Sequence, residues 1–330
     1  MKILFITKKF YTNADSSSYT PNIARQLFKR KHEVNIMAAE WEKGEKNESV
    51  QFLDTPSFPM GLFIRQLTFT LSAKVGLVQD KFDIIQTNEL VHGQDIYRAG
   101  NGCFREWIDL YSGYISSLEK FFLGKTPYAI FMKMMEKMTF NKDSYKKIVA
   151  ISKLGKEEII KHYKVPAKDI KVIYNGVDLK RFKPASDQLK EEVRREFSLD
   201  KNDFVLLFVG SDWERQGLKF LLDVFARLEK NNLKLLVVGT GKQKKYKKLI
   251  PQDKIDKVIF TGMIKEPEKV YKCADVFVLP ALYEPFGNAH LEAMSSGLPV
   301  ITTSRSGAAE IIKHTVNGFV VEKPEDIDSL

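Results

Sequence analysis

Two carboxylates, Glu284 and Glu292, stand eight positions apart in the stretch PALYEPFGNAHLEAMSSGLP, residues 280–299. Along a helical path, at roughly 1.5 Å per residue, eight positions correspond to about 12 Å. The paired carboxylates of glycosidases lie about 5 to 9.5 Å apart across a single bond. The spacing of these two therefore does not suit one scissile bond, and suits instead two separate polyol groups of one elongated ligand.

The elements around the two carboxylates form a strand-to-helix corner. The apolar run 275–279 predicts a buried strand before the corner, and Val300–Thr303 predicts another strand after it. Pro285 and Gly287 end the first strand, and Asn288–Ser296 has helical spacing. The free N–H groups and the positive dipole end at such a helix start favour a phosphate. Sugar hydroxyls, a diphosphate and ribose hydroxyls in one row describe a nucleotide-sugar, which is the ligand that this corner predicts.

The pattern E-P-F-G-x4-E-A-M-x2-G-x-P-V, which begins at Glu284, resembles the E-x7-E signature of the family-4 retaining glycosyltransferases. This resemblance implies the GT-B fold, an α/β architecture of two Rossmann-like α/β/α domains facing across a cleft. It implies that Glu284 is catalytic and contacts the donor sugar, and that Glu292 binds the ribose hydroxyls. Further donor-binding residues on this corner are Phe286, Gly287 and Asn288. The alternative interpretation is a solvated Glu and a capping Glu on an ordinary surface helix.

A glycine corner provides the other expected part of the donor site. A predicted strand at 204–209 runs into the loop GSDWERQG, residues 210–217, where glycine lets a ligand approach the backbone. The loop resembles that of the lipopolysaccharide core glucosyltransferases. The resemblance implies that Gly210, Ser211 and Arg215 lie against the donor diphosphate.

One departure from the family pattern falls in this loop. Family members usually carry Lys before the second glycine, whereas this chain has Gln216. Arg215 is therefore the cation expected to neutralise the diphosphate in the catalytic step, and the alternative is a surface ion pair with Glu214. The sequence F-T-G-M-I resembles the segment where family members bind the nucleotide base through the backbone, here near Ile264.

The acceptor-side candidates come from the first half of the chain, which opens with a β-loop-α-β pattern of Rossmann type. Its first loop contains Asp15 and the three serines 16–18 where family members usually have paired glycines. Either the serine hydroxyls replace the glycines at the donor diphosphate, or this loop serves the acceptor only. The alternative is a polar loop without a role in binding. Asn88 stands nearest to the place where many family members have a histidine. Asp95 lies in a G-x-D-I-Y sequence that resembles the lipopolysaccharide core glucosyltransferases, and would orient or deprotonate an acceptor hydroxyl. The alternative for Asp95 is a buried side chain that caps a turn.

Composition limits the class of protein. The chain has 330 residues, 44% of them hydrophobic, which predicts an ordinary globular protein with two α/β domains. Cys103 and Cys273 are the only cysteines, and no cluster has metal-ligand spacing, so we expect no disulfide framework, metal or cofactor. No apolar run is long enough for a signal peptide or a membrane span, and the expected location is the cytoplasm. The net charge is +10, but the sequence contains no recognised nucleic-acid-binding module, so nucleic acid is not an expected partner.

Residues 104–147 break the alternation of strands and helices. The segment has helical tendency and mixes aromatic residues such as Phe121 and Phe122 with lysines such as Lys120 and Lys125. One interpretation is an amphipathic surface that lies peripherally on the inner face of the cell membrane, where anionic lipid attracts the lysines. The other is a helical pair packed on the first sheet with basic edges toward solvent. The sequence leaves both interpretations open.

The expected domains are residues 1–173, an acceptor-binding domain that includes the helical insertion 104–147, and residues 174–330, a nucleotide-sugar-binding domain. The N-G-V-D sequence at 175–178 resembles the family's interdomain crossover. We expect the second domain to lack the family's usual C-terminal crossover helices.

The expected activity is retaining transfer of a hexose from a nucleoside-diphosphate sugar to a lipopolysaccharide-core or lipid-linked oligosaccharide, an anionic glycolipid acceptor. Glucose carried by UDP is the first expectation for the donor. One alternative is a capsular or exopolysaccharide transferase that uses another donor. A non-catalytic nucleotide-sugar-binding protein is the other, suggested by Gln216 and by the missing paired glycines.

Overall fold

The computed structural model describes residues 1–10, 19–41, 51–54, 61–79 and 82–330. The acceptor-side candidate Asp15 lies outside these residues. The chain divides into two compact units, Met1–Asn175 and Gly176–Leu330, close to the boundary expected after residue 173. Each unit is built on its own parallel sheet.

The first unit contains a seven-stranded parallel sheet. Its strands are β1 (Lys2–Phe10), β2 (Glu33–Trp41), β3 (Gln51–Asp54), β4 (Ile84–Thr87), β5 (Ile96–Ala99), β6 (Lys147–Ala150) and β7 (Ile170–Val172). They lie in the order β3-β2-β1-β4-β5-β6-β7. The order reverses between β1 and β4, and the carboxyl ends of strands at such a reversal border the crevice where open α/β sheets bind ligands.

The helices of this unit are α1 (Tyr19–Lys29), α2 (Gly61–Gln79), α3 (Phe104–Tyr111), α4 (Ser117–Leu123), α5 (Pro127–Thr139) and α6 (Lys153–Tyr163). The start of α6 agrees with its sequence, because the Ser152 hydroxyl accepts a hydrogen bond from the Gly155 N–H at 2.9 Å. The central residues of β1 and β2, 3–7 and 34–38, are all buried and mostly apolar, as expected for parallel strands with both faces covered.

The predicted helical insertion corresponds to α3, α4, α5 and a 3-10 turn at Lys142–Ser144. Helix α5 packs on the sheet, since Phe131 and Met135 are buried in one core cluster with strand residues. Helix α4 has no buried residue, and Phe121 and Phe122 are each more than half exposed. The interpretation that the insertion packs on the first sheet therefore applies to the inner face of α5. Helix α4, in contrast, has an exposed apolar surface.

The second unit contains a six-stranded parallel sheet. Its strands are β8 (Phe204–Val209), β9 (Leu233–Val238), β10 (Val258–Gly262), β11 (Val276–Leu279), β12 (Val300–Thr303) and β13 (Gly318–Val321). Its helices are α7 (Asp187–Glu196), α8 (Leu218–Arg227), α9 (Gln243–Lys247), α10 (Glu268–Cys273) and α11 (Asn288–Ser295). The strand order β10-β9-β8-β11-β12-β13 is the Rossmann order, and it reverses between β8 and β11. The loops that follow these two strands, 210–217 and 280–287, therefore meet at the reversal.

Gly217 holds these two loops together. Its φ is +77°, and a β-carbon placed there would lie 1.8 Å from the carbonyl oxygen of Pro280. The neighbouring Arg215 carbonyl oxygen accepts hydrogen bonds from the N–H groups of Leu282 at 2.9 Å and Tyr283 at 3.2 Å. Only glycine allows the backbones to approach this closely.

His290 fixes the start of α11 beneath the second loop. Its side chain is completely buried, and its ring packs edge-on against Phe277. Its two ring nitrogens each lie 3.0 Å from an oxygen, the Gly287 carbonyl for Nδ1 and the Thr302 hydroxyl for Nε2. Burial lowers the pKa of His290 to about 4, so the imidazole is neutral at physiological pH.

Within the described residues, the helices are all too short or too polar to cross a membrane.

Gly217→Ala should lower the free energy of unfolding by about 3 kcal/mol or more, because it adds a strained left-handed backbone to an overlap with Pro280. Gly262→Ala is the matched control, since Gly262 also has a positive φ, +72°, but a β-carbon there meets nothing within 4 Å. The control should lose only about 1 kcal/mol of backbone strain. Urea unfolding of both variants gives the comparison, and equal losses would contradict the assigned contact.

His290 should make the stability depend on pH. The unfolded state takes up a proton on this ring below pH 6.5, whereas the folded state does so only near pH 4, so the stabilisation is complete above pH 6.5 and is lost as the pH falls. Between about pH 7 and pH 4 the parent protein should lose about 3 kcal/mol more unfolding free energy than His290→Gln. Urea unfolding at several pH values measures this difference, and parallel pH profiles for the two proteins would refute it.

Candidate active site

The two predicted halves of the donor site come together at the reversal of the second sheet. The hydrogen bonds from Leu282 and Tyr283 to the Arg215 carbonyl join the loop after β8 to the corner after β11. This contact brings the side chains of Arg215 and Glu284 into one site, with their closest charged atoms 3.9 Å apart. Residues 69 positions apart in the sequence thus form one group of charges.

Glu284 is a buried carboxylate, 7% exposed, at the centre of this site. Its main chain is fixed on both sides, because its N–H donates to the Arg305 carbonyl at 3.1 Å and its carbonyl accepts from the Gly307 N–H at 2.8 Å. One carboxylate oxygen, Oε2, accepts a hydrogen bond from Gln216 Nε2 at 3.1 Å. The other oxygen accepts no hydrogen bond from the described residues, which leaves it able to accept one from a ligand hydroxyl.

Arg215 is positioned inward, toward Glu284. Besides the contact with Glu284, its Nε lies 3.5 Å from Asp212 Oδ2, and that buried Nε makes no hydrogen bond within the described part of the chain. Glu214, the alternative partner, forms an ion pair with Lys245 instead. The guanidinium therefore retains donors that could face an anion.

Gln216 is a residue that sequence reasoning noted only as a departure from the family pattern. Its Oε1 accepts from the Asp212 N–H at 3.1 Å while its Nε2 donates to Glu284, so the amide bridges the loop and the carboxylate. A β-carbon on Gly210 would lie 2.0 Å from Gln216 Oε1. A larger residue at position 210 would therefore displace the Gln216 amide from this bridge. The Gln at the expected Lys position was the available signal.

The corner after β11 leads into α11. Gly287, with φ +80°, precedes the first helical residue Asn288, and no side chain caps the helix start. Phe286 is 1% exposed, so its side chain packs in the interior. The first N–H groups of α11 thus begin directly beyond the Glu284 corner.

Glu292 lies on the second turn of α11 and is 7% exposed. Its Oε2 accepts a hydrogen bond from the hydroxyl of Tyr271 at 2.7 Å. Tyr271 belongs to α10, is 1% exposed and packs edge-on against Phe182. Sequence reasoning missed Tyr271, because nothing in the local pattern of α10 distinguishes it from a core aromatic.

The remaining predicted donor residues lie at the same carboxyl edge of the second sheet. Ser211 is exposed directly after β8, and Ile264 follows β10 and is half-buried against the core. Trp213, which was not predicted, is 3% exposed, and its indole N–H donates to the Gly210 carbonyl at 2.9 Å. The indole therefore helps to hold the backbone of the glycine loop.

In the first unit, Asn88 lies directly after β4, at the reversal of the first sheet. Its Nδ2 donates to the Thr20 hydroxyl at 2.8 Å. Its Oδ1 is buried, and none of the described residues donates a hydrogen bond to it. A buried acceptor without a partner is costly, so a donor supplied by a ligand or by water would stabilise this position.

Asp95 has a structural role instead. It precedes β5, at the amino edge of the sheet, where its Oδ2 accepts from the Ile85 N–H at 2.8 Å and its Oδ1 pairs with Lys146 at 2.7 Å. Both oxygens are thus engaged, which agrees with the capping alternative. The geometry gives no support to a role at the acceptor.

Two charged residues near Asn88 were missed by sequence reasoning. Glu89 is 8% exposed and pairs with Lys8 at 2.9 Å. Arg98 is 6% exposed, its guanidinium stacks on Tyr19 at 3.8 Å from the ring centre, and burial lowers its pKa. Arg98 is an isolated charged residue in the apolar strand β5, whereas Glu89 ends the polar run 86–89. Neither signal is informative until the strand order is known.

Within the described residues, no group of three His, Cys, Asp or Glu side chains could hold a metal ion. Cys103 and Cys273 are buried thiols that form no disulfide, and burial raises the pKa of both, that of Cys273 to about 12.

Two family models match the chain. The model described as Glycosyltransferase Family 4 matches residues 16–181, just over half of the chain, and the model described as Glycosyl transferases group 1 matches residues 190–330. Together they cover most of both units.

Several individual proteins are also similar to this chain in sequence. The lipopolysaccharide glucosyltransferase WaaG of Escherichia coli is 23% identical over 329 residues, 98% of this chain and 86% of that protein. An uncharacterized glycosyltransferase of Methanocaldococcus jannaschii, MJ1607, is 38% identical over 189 residues. A UDP-Gal:alpha-D-GlcNAc-diphosphoundecaprenol alpha-1,3-galactosyltransferase of E. coli is 32% identical over 192 residues. The matches to the last two span about half the length of those relatives and 56% of this chain.

Solved structures show the same fold. The crystal structure of WaaG superposes with a TM-score of 0.83 at 23% identity, covering 99% of this chain and 88% of that chain. The structure of Anabaena HepE in complex with UDP-glucose has a TM-score of 0.68 at 19% identity and covers 99% of this chain and 89% of that chain. The predicted fold class is confirmed, and the chain, with two parallel α/β units of the GT-B type, belongs to glycosyltransferase family 4.

Proposed function

We propose that this protein is a retaining hexosyltransferase that moves glucose from UDP-glucose to a lipopolysaccharide-core or lipid-linked oligosaccharide. The observation that carries the proposal is the group formed by Glu284, Arg215 and Gln216 at the reversal of the second sheet, beside the start of α11. The printed names of relatives agree with a sugar donor, since WaaG is a lipopolysaccharide glucosyltransferase and HepE was solved with UDP-glucose.

The donor diphosphate is the group that this site would stabilise most. Breaking the bond between sugar and diphosphate develops negative charge on the leaving phosphate, and fixed positive groups lower that barrier. Arg215 and the first N–H groups of α11, at Asn288, would supply them, with Gly210 and Ser211 lining the loop. A helix start favours an anion by about 0.3 to 1 kcal/mol at an exposed site, and more where it is partly buried.

The two carboxylates would hold the two ends of the donor. Glu284 has one free oxygen for a sugar hydroxyl, while Gln216 holds the other. Glu292, held by Tyr271, would accept hydrogen bonds from the ribose hydroxyls. The main chain near Ile264 would contact the base, because it lies at the same edge of the sheet.

The acceptor is assigned to the first unit. Asn88 has a buried carbonyl oxygen that lacks a donor within the described residues, and it sits at the reversal of the first sheet. A hydroxyl of an oligosaccharide would satisfy it. Asp95 is not part of this proposal, because its two oxygens are engaged by Ile85 and Lys146.

We also propose that α4 attaches the protein to the cytoplasmic face of the membrane. Leu118, Phe121 and Phe122 are 70%, 58% and 56% exposed on one short helix. Lys120 is on the same helix, and Lys125, two residues after its end, lies over the Phe121 ring. Apolar side chains with adjacent lysines are typical of a surface that lies in a membrane interface. Such attachment would bring the enzyme to an acceptor that is itself anchored in the membrane.

Glu292→Ala should weaken the binding of UDP-glucose roughly 10- to 150-fold, because a charged hydrogen bond is worth about 1.5 to 3 kcal/mol. Tyr271→Phe should cause a smaller loss, roughly fivefold, since it removes only the group that positions Glu292. Glu196→Ala is the control, because Glu196 is a half-exposed carboxylate on α7 that pairs with Lys269.

Calorimetric titration with UDP-glucose, UDP-galactose and GDP-mannose measures these constants and ranks the donors. An unchanged dissociation constant in Glu292→Ala would remove Glu292 from the donor site. Release of nucleotide from the preferred donor separates an enzyme from a non-catalytic binder, and tight binding with no release, with or without oligosaccharide acceptor, would contradict the proposed activity.

The attachment of α4 should depend on anionic lipid and on its apolar side chains. In liposome flotation, Phe121→Ser/Phe122→Ser should abolish most co-flotation with vesicles containing phosphatidylglycerol. Met263→Ser is the control, because Met263 is an exposed apolar side chain in the second unit. Each lysine near the surface contributes about 1 kcal/mol, so raised salt should also reduce flotation. Equal flotation with neutral and anionic vesicles would rule out this attachment.

A further inference from the structure

A cavity of about 580 Å³ lies in the helical layer of the first unit, between α3, α5 and the end of α6. Its lining includes four cationic side chains, Arg105, Lys133, Lys137 and Lys164, together with Met134 and Phe140. The last residues of α6 face the amino edge of the sheet, since this helix starts at the carboxyl end of β6. The cavity is therefore separate from Asn88 and the other residues at the carboxyl edge.

The acidic groups near this cavity are already engaged. Glu106 accepts hydrogen bonds from Lys161 at 2.7 Å and from His162. Glu136 is 1% exposed, accepts from the Tyr163 hydroxyl and from the N–H of Arg105, and burial raises its pKa. Neither carboxylate forms an ion pair with a cation of the lining.

The four cations have no acidic partner within the described residues. Lys133 reaches only the Gly124 carbonyl, at 3.4 Å, and Arg105, Lys137 and Lys164 form no ion pair there. Like charges around one concave site repel one another and raise the local concentration of anions. A dianionic or monoanionic phosphate that contacts several of them would relieve this repulsion.

An apolar stripe adjoins the cavity. Met134 lines it and belongs to a row on α5 with Ile130 and Met138, each four residues apart and 49%, 57% and 43% exposed in that order. A soluble anion would use the cations alone. A ligand with a phosphate head and an apolar chain would cover the stripe as well, which favours a lipid as the source of the phosphate.

We propose that this cavity is a binding site for the phosphate group of an anionic phospholipid, with Arg105, Lys133, Lys137 and Lys164 contacting the head group and Met134 contacting the chain. The site takes one lipid molecule at a defined place, and does so independently of sugar transfer and of the apolar surface of α4.

Dihexanoyl phosphatidylglycerol, kept below its critical micelle concentration, tests the site as a monomer, so that general attachment to a membrane does not contribute. Calorimetric titration of the full chain should show saturable binding of one molecule. Lys137→Gln/Lys164→Gln should weaken this binding at least about 10-fold, because two charged contacts are lost. Lys244→Gln/Lys248→Gln is the matched control, because it makes the same change of charge at two exposed lysines of the second unit, and it should stay within about twofold of the parent protein.

Inorganic phosphate provides the second arm of the experiment. Binding of phosphate as tight as that of the lipid, with the same loss in Lys137→Gln/Lys164→Gln, would overturn the lipid source and assign the cavity to a soluble phosphate compound. The absence of saturable binding for both probes, or equal losses in the two double variants, would overturn the site itself. The substituted lysines of both double variants are exposed side chains. Unchanged thermal unfolding should therefore show that both double variants remain folded.

Discussion

The hydrogen bonds that Leu282 and Tyr283 donate to the Arg215 carbonyl are the constraint on which the rest of the site depends. They join the loop after β8 to the corner after β11, and they form only because Gly217 lets the backbone approach Pro280. Without them Arg215 and Glu284 would belong to two unconnected loops. With them, a cation, a carboxylate and a helix start are fixed at one place on the sheet.

Burial determines which partners the two carboxylates of the donor site need. A carboxylate as buried as Glu284 is stable only with hydrogen-bond donors around it, and the neutral amide of Gln216 provides one without cancelling its charge. The hydroxyl of Tyr271 is likewise a neutral donor to Glu292. A neutral donor therefore binds one oxygen of each carboxylate, and both carboxylates remain strong acceptors for hydroxyl groups.

The sequence alone was sufficient to predict the features of the fold that depend on local residue patterns. The strands around 204–209 and 276–279, the helix from Asn288 and the two glycine corners follow from apolar runs and turn residues, and the fold class follows from the E-x7-E resemblance. Residues such as Gln216 and Tyr271 were missed because their roles depend on partners 68 and 21 positions away. Asp95 illustrates the same limit, since its position in the motif does not reveal that Ile85 and Lys146 engage its oxygens.

A crystal structure of the protein with an intact UDP-sugar is the most direct measurement of the central claim. We predict a sugar hydroxyl within hydrogen-bond distance of the free oxygen of Glu284 and the ribose hydroxyls at Glu292. The diphosphate should lie against Arg215 and the first N–H groups of α11. A donor bound away from the reversal of the second sheet, or one that touches neither carboxylate, would contradict it.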